Sequence, residues 1–149
     1  MGDLTFRGGV HPQEMKELSC EMPLIPYAPK GDLVFLTNQH IGKPATPVVK
    51  KGDQVLAGQC IAEAGGFVSA NIYSSVSGTV KAVEPRPTAA GGMAQAIVIT
   101  SDGANTLAEG IGQKTDYKTL SNQEIISRVQ SAGIVGMGGA GFPTHVKLT

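Results

Sequence analysis

Between positions 32 and 100 the apolar residues come in short runs separated by turn formers, a pattern that predicts strands rather than helices. Leu33-Val34-Phe35-Leu36 is the first run. Val48-Val49 leads through the turn signal Lys51-Gly52-Asp53 to Gln54-Val55-Leu56, and Ala57-Gly58-Gln59 turns the chain again before Cys60-Ile61-Ala62. Ile72-Tyr73 runs to a turn at Ser77-Gly78, and Thr79-Val80-Lys81-Ala82-Val83 follows at period two. A loose loop is expected over Pro85–Gly92, and Gln95-Ala96-Ile97-Val98-Ile99-Thr100 closes the set. Strands this short and evenly spaced predict a mainly β domain over 31–100, built as a small sandwich or barrel.

The flanks read differently. Over 1–30, Gly8-Gly9, Pro12, Pro23, Pro26 and Pro29 exclude regular helix from most of the segment and leave room for a short turn near Gln13–Leu18. Such an extended arm either packs over a neighbouring domain or stays a disordered tail. Residues 101–119 are polar and turn-rich and read as a linker. Ser121 and Glu124 then form a capping box, flanked by Leu120 and Ile125 in the positions of a hydrophobic staple. Ile125, Ile126 and Val129 give one apolar face and Gly133 a stop, which predicts a helix over Asn122–Ala132. Beyond it comes the run Met137-Gly138-Gly139-Ala140-Gly141-Phe142-Pro143-Thr144, and the sequence ends five residues later at Thr149. The unit 120–149 therefore reads as the start of an α/β domain that has been cut short.

Composition narrows the function. Hydrophobic residues make up 41% of the 149, enough for a packed core. Lys plus Arg (12) balances Asp plus Glu (12), so no net field draws nucleic acid, and nucleic acid is excluded as a partner. Cys20 and Cys60 lie outside any CxxC; they are compatible with a disulfide or with reduced thiols, and are too few for a four-cysteine iron–sulfur cluster. Met1–Val10 has no apolar core of a signal peptide and no run has the length of a membrane span, so the expected chain is soluble and cytosolic. His11, His40 and His145 lack metal-ligand spacing, and Ser74, Ser75 and Ser77 lack the Gly-x-Ser-x-Gly frame of a hydrolase nucleophile.

Two segments remain as candidates for chemistry. The stretch Lys51–Val83, with Gly52-Asp53-Gln54-Val55, Gly58-Gln59, Ile61-Ala62-Glu63 and Val76-Ser77-Gly78-Thr79-Val80, resembles the biotinyl/lipoyl domain pattern, whose fold is a barrel-sandwich hybrid. Carrier domains of that kind hold their cofactor on a hairpin-tip lysine. The corresponding tip here, Gly65–Asn71, has none, and the flanking Lys51 and Lys81 fall on a turn and a strand. An amide-linked prosthetic group needs an amine, so this barrel is expected to be a scaffold or docking surface. In the second segment, Gly136–Lys147, absent side chains let backbone amides approach a phosphate or a flat ring, Pro143 suits the first turn of a following helix, and Lys147 adds a positive charge. On those general grounds alone a plain glycine-rich turn is the simpler reading.

The spelling Gly138-Gly139-Ala140-Gly141-Phe142-Pro143-Thr144 with Lys147 beyond resembles the flavin-binding loop of the NADH-oxidising flavoprotein of respiratory complex I. Phe6-Arg7-Gly8-Gly9-Val10-His11-Pro12 with Lys16-Glu17-Leu18, then Gln39-His40-Ile41-Gly42 and the barrel with its lysine-free hairpin tip, are similar in the same order to RnfC, a component of the ion-translocating Rnf electron-transport complexes. That resemblance implies a longer parent protein that binds FMN, exchanges hydride with NAD(H), carries two 4Fe-4S clusters and works with the other subunits of a ferredoxin:NAD oxidoreductase, peripheral on the cytoplasmic side of the membrane. It also implies cofactor contacts from Gly136, Gly138, Gly139, Ala140, Gly141, Phe142, Thr144 and Lys147. By itself the chain is expected to hold no cofactor and to catalyse nothing. The alternative is a non-catalytic docking module of another redox or carboxylase-type assembly.

Overall fold

In the computed structural model, residues 12–27 and 29–149 are described; the Phe6–His11 part of the N-terminal motif lies outside them. The short apolar runs form seven strands: β1 (Asp32–Leu36), β2 (Thr46–Pro47), β3 (Gln54–Val55), β4 (Cys60–Glu63), β5 (Ile72–Tyr73), β6 (Gly78–Pro87) and β7 (Met93–Ser101). They pair antiparallel in two sheets, ordered β1-β7-β6-β3 and β2-β4-β5. The fold is mainly β, as the patterning predicts. Phe35, Val55, Ile61, Ile72, Val80, Ile97 and Ile99 meet in one core between the sheets. Each fully buried aliphatic side chain of this kind stabilises the fold by about 1.5–3 kcal/mol. Gly78 opens β6 because any side chain there would overlap the Thr100 carbonyl of the neighbouring strand.

The loop expected over Pro85–Gly92 is shorter than that. Pro85, Arg86 and Pro87 continue β6, opposite Gln95, Ala94 and Met93, and only Thr88–Gly92 turns. The reason is a β-bulge at Lys81, where the register slips between Val80 and Ala82. Before the bulge Val80 turns its amide and carbonyl toward Asp53 and Gly52, away from β7. After it the parity is reversed: Thr88 donates to Gly92, so the even positions face β7 and the two prolines aim their missing donors away from it. Proline can therefore sit in this strand without breaking the ladder.

The arm and the segment after β7 also depart in detail. The arm's turn lies at Lys16–Cys20, where Ser19 and Cys20 both donate to the Lys16 carbonyl, slightly later than expected. Residues 12–27 are exposed throughout. Past β7, Asp102 accepts a 2.7 Å hydrogen bond from Ser77, whose hydroxyl oxygen in turn accepts from the Thr106 amide at 2.8 Å. The Ser77 hydroxyl, followed by the Ala104 amide, holds the Asp102 carboxyl below its ordinary range. Leu107 bridges Ala57 in parallel, and Ile111 packs over Gly58. The first half of the segment read as a linker is thus fastened to the barrel.

A 3-10 turn at Tyr117–Thr119 leads into α1 (Asn122–Ser131), with both halves of the capping box formed: the Glu124 amide donates to Ser121 Oγ, and the Ser121 amide donates to the Glu124 carboxylate at 2.8 Å. Ala132 is the C-cap and Gly133 follows with φ +65°, the left-handed conformation that ends many helices. A second, five-residue helix, α2 (Thr144–Leu148), follows the glycine-rich run.

Candidate functional site

The glycine-rich run is a loop closed at its neck. Gly136 donates to the Phe142 carbonyl (3.0 Å), Thr144 donates to the Ile134 carbonyl (2.9 Å), and Val135 bridges Pro143 antiparallel. One side of the loop leans on the barrel. Ile41 donates to the Gly141 carbonyl at 3.4 Å, and a Cβ on Gly141 would stand 2.8 Å from the Gln39 carbonyl oxygen and 3.0 Å from His40 Cα. With φ +67° as well, position 141 admits glycine alone without strain.

Between this loop and the β1–β2 connection lies a cleft of about 520 Å³. Asn38, Gln39 and Ile41 line its barrel side, and Met137, Gly139 and Ala140 its loop side. Gly136 and Gly141 also reach it, whereas Gly138, Phe142, Thr144 and Lys147 do not line it. A Cβ on Gly138 or Gly139 would meet only open space, and neither residue has a positive φ. Neither packing nor backbone conformation within the described residues requires glycine at these two positions. Among the described residues, no acceptor takes a hydrogen bond of good geometry from the amides of 137–141. Thr144 differs, since its amide is engaged by Ile134, and Lys147 extends its Nζ over the Phe142 ring, 5.5 Å from the centroid.

Two buried histidines, which their spacing in the sequence did not single out, clamp the hairpin between β4 and β5 to the rest of the site. His40 Nε2 accepts from the Ala70 amide at 3.3 Å, while its Nδ1 lies 3.0 Å from the Ile41 carbonyl and so carries the hydrogen. His145 Nε2 donates to the Phe67 carbonyl at 3.1 Å and meets the Phe67 ring edge-on at 6.0 Å. Asn71 and Tyr73 both donate to the Ser131 carbonyl at the end of α1. The hairpin tip that holds a lysine in carrier domains here grips the C-terminal unit. In space the nearest lysine is neither Lys51 nor Lys81 but Lys43, whose stem lies along Gly65 and Gly66. His40 sits within Gln39-His40-Ile41-Gly42, so the motif itself was the signal for that residue; nothing comparable marked His145.

Elsewhere the chemistry is sparse. Burial, and then the neighbouring Glu63, push the Cys60 thiol up, which keeps it protonated and weakly nucleophilic. Among the described residues no three His, Cys, Asp or Glu side chains gather as a metal site, and no helix is long and apolar enough to cross a membrane.

A family model described as the RnfC barrel sandwich hybrid domain matches residues 4–104. The chain belongs to the RnfC family. It is 50% identical over 145 residues to the RnfC component of the proton-translocating ferredoxin:NAD(+) oxidoreductase complex of Clostridium ljungdahlii, and 47% identical over 145 residues to that of the Na(+)-translocating complex of Acetobacterium woodii. Each match takes in 97% of this chain and 32% of the relative. The corresponding component of the ion-translocating oxidoreductase complex of Pseudomonas aeruginosa is 43% identical over 147 residues, 97% of this chain and 19% of the relative. The chain therefore spans about a third or less of the length of these RnfC relatives.

Proposed function

We propose that this chain is the scaffold and the first wall of a flavin site in an electron-transfer subunit of an Rnf-type ferredoxin:NAD oxidoreductase. The observation that carries the reading is Gly139, which lines an open cleft of about 520 Å³ and which, like its neighbour Gly138, nothing within the described fold requires to be glycine. A missing Cβ facing open space is what close approach of a ligand to the backbone needs. In this reading the amides of Gly138, Gly139 and Ala140 lie against FMN and Gly141 fixes the loop on the barrel. Phe142 and Lys147, paired outside the cleft, brace the loop's far side and reach FMN only beyond the cleft, and Thr144 starts the helix that holds the loop's far end. FMN, when bound, accepts a pair of electrons and passes them on singly. The barrel holds the loop in place and takes no covalent cofactor. NAD(H), the two 4Fe-4S clusters and the catalytic step belong to the remainder of a full-length RnfC protein, which works with the complex's other subunits at the cytoplasmic face of the membrane.

Flavin fluorescence titration tests this on three samples: the chain alone, a full-length RnfC protein carrying this chain as its matching segment, and the latter with Gly139→Val. Tight FMN binding is expected only in the unmodified full-length protein, with the chain alone weak or inactive and the valine variant impaired. Equal binding with valine at 139 would reduce the loop to a plain turn.

The docking alternative is favoured by the arm, where Leu18, Leu24, Ile25 and Tyr27 are each more than three-quarters exposed (84%, 101%, 77% and 84%). It predicts that deleting 12–27 breaks assembly with other subunits and that Gly139→Val leaves flavin untouched.

A further inference from the structure

The cleft beside the glycine loop has a wall that does not belong to the loop. Its barrel side is the β1–β2 connection, roughly a hundred residues earlier in the chain by the numbering, and the two sides are held together by the Ile41–Gly141 hydrogen bond and the Gly141–Gln39 contact. The chemistry of this lining is uniform. Among the described residues, no Asp, Glu, Lys or Arg lines it. His40, the titratable residue of the lining, has both ring nitrogens turned to backbone partners, Nδ1 to the Ile41 carbonyl and Nε2 to the Ala70 amide, and offers neither to the cleft. Lys147, the cation of the glycine segment, is turned over the Phe142 ring instead. A site built to take a phosphate is recognised by cations, by a helix N-terminus of some length or by converging backbone amides. Neither of the first two lines the cleft among the described residues, and the free amides of the loop suit a ring carbonyl as well as a phosphate.

What it does present is apolar surface with uncharged hydrogen-bonding groups at its edge. Ile41 and Met137 are both exposed, Met137 almost completely (96%). The side-chain amides of Asn38 and Gln39 are exposed and form no hydrogen bond with any described residue. A side-chain amide offers a donor and an acceptor together, which matches the alternating N–H and C=O edge of a flavin's ring system. The volume, about 520 Å³, falls in the range of small-molecule sites.

We propose that this neutral cleft receives the uncharged ring system of the flavin, that Asn38 and Gln39 hydrogen-bond to its polar edge, and that the phosphate lies outside the cleft. The barrel is then part of the binding site and not only its support. This inference rests on the flavin reading given above.

The test is a fluorescence titration of a full-length RnfC protein carrying this chain, with riboflavin and with FMN, in the unmodified protein, in the double variant Asn38→Leu/Gln39→Leu, and in Gly139→Val. Loss of one or two neutral hydrogen bonds weakens binding by about three- to tenfold. That loss is expected to be the same for riboflavin and for FMN, because only the ring is read at this wall. Both substituted positions are exposed, and circular dichroism with a thermal melt checks that the double variant is folded. A loss confined to FMN would place the phosphate in the cleft and overturn the inference. Unchanged binding of both ligands in the double variant, with binding lost in Gly139→Val, would overturn it too while leaving the flavin reading intact. Unchanged binding in all three proteins would remove the flavin reading itself.

Discussion

The carbonyl oxygen of Gln39 occupies the space into which a side chain at position 141 would grow: a Cβ built on Gly141 falls 2.8 Å from it. The barrel and the glycine loop touch here backbone to backbone. Gly141→Ala must therefore move one of them, and it also places a methyl group on a residue at φ +67°. A destabilisation of about 1–3 kcal/mol is expected, in the range for strained backbone positions. Gly138→Ala, three residues away, meets open space and is expected to change stability by less than about 0.5 kcal/mol. Thermal or denaturant unfolding of both variants checks the contrast; equal effects would mean that the loop does not rest on the barrel.

Replacing Ser121 with Ala removes the hydroxyl that accepts from the Glu124 amide and is expected to destabilise α1 by about 0.5–2 kcal/mol. The same cap has a pH signature. The Ser121 hydroxyl, and then the Ser121 amide, hold the Glu124 carboxyl below its ordinary value of 4.5. A carboxyl lowered in the folded state stabilises fully above its unfolded value and loses that contribution as pH falls through the folded one. Protection factors across 122–131, which remove the pH dependence of intrinsic exchange, should hold at neutral pH and fall as pH drops below about 4.5, less so in the alanine variant. Protection factors that do not change with pH would show that packing, not the cap, holds the helix.

His145 supplies the donor for the Phe67 carbonyl in a part-buried setting. His145→Ala leaves that carbonyl without its partner, and a loss of about 1–3 kcal/mol is expected. The effect should be local: faster hydrogen exchange over 65–71, with β6 and β7 unchanged. Uniform destabilisation of the whole chain would argue that the clamp is part of the core.

Intact-mass measurement after expression with biotin and lipoate present should return the bare polypeptide mass. Lys43 is the residue to watch, since its stem lies along the glycines of the hairpin tip. An adduct of either cofactor's size on Lys43, Lys51 or Lys81 would make the barrel a carrier.

The strands were legible because their apolar runs are bounded by turn residues. Leu33–Leu36 and Gln95–Thr100, each predicted from four or more consecutive residues, lie within β1 and β7. The second strand was less so: Val48-Val49 was expected, whereas Thr46 and Pro47 pair with Glu63 and Ala62 and Val48 only adds a hydrogen bond to Ile61. The capping box needed no tertiary information, since both partners lie within one turn. The bulge was invisible because Thr79–Val83 alternates regularly as text, and the slip is set by β3 on one side and β7 on the other. The contacts of the two histidines were invisible for a related reason, although His40 itself lies in a motif. Their partners are backbone atoms 30 and 78 residues away, and a backbone atom leaves no trace in residue type. At the candidate site the glycine spelling marked the loop and Gln39-His40-Ile41-Gly42 marked part of the opposite wall, but nothing in residue type joined the two. Asn38 and Gln39 reach the cleft only through the packing of Gly141 on the barrel.

The extra residue at Lys81 has a consequence for what the barrel does in company. A strand end with open amides and carbonyls invites a strand of another molecule to line up beside it. Past Thr79 no described strand lies on the outer side of β6, so that invitation would stand from Ala82 to Pro87. By reversing the parity, the bulge turns exposed Pro85 and Pro87 toward this side, where an incoming chain finds two rings in place of two of the three outward amides, that of Val83 remaining. The same slip that lets proline into the sheet thus discourages copies of the protein from zipping together at high concentration.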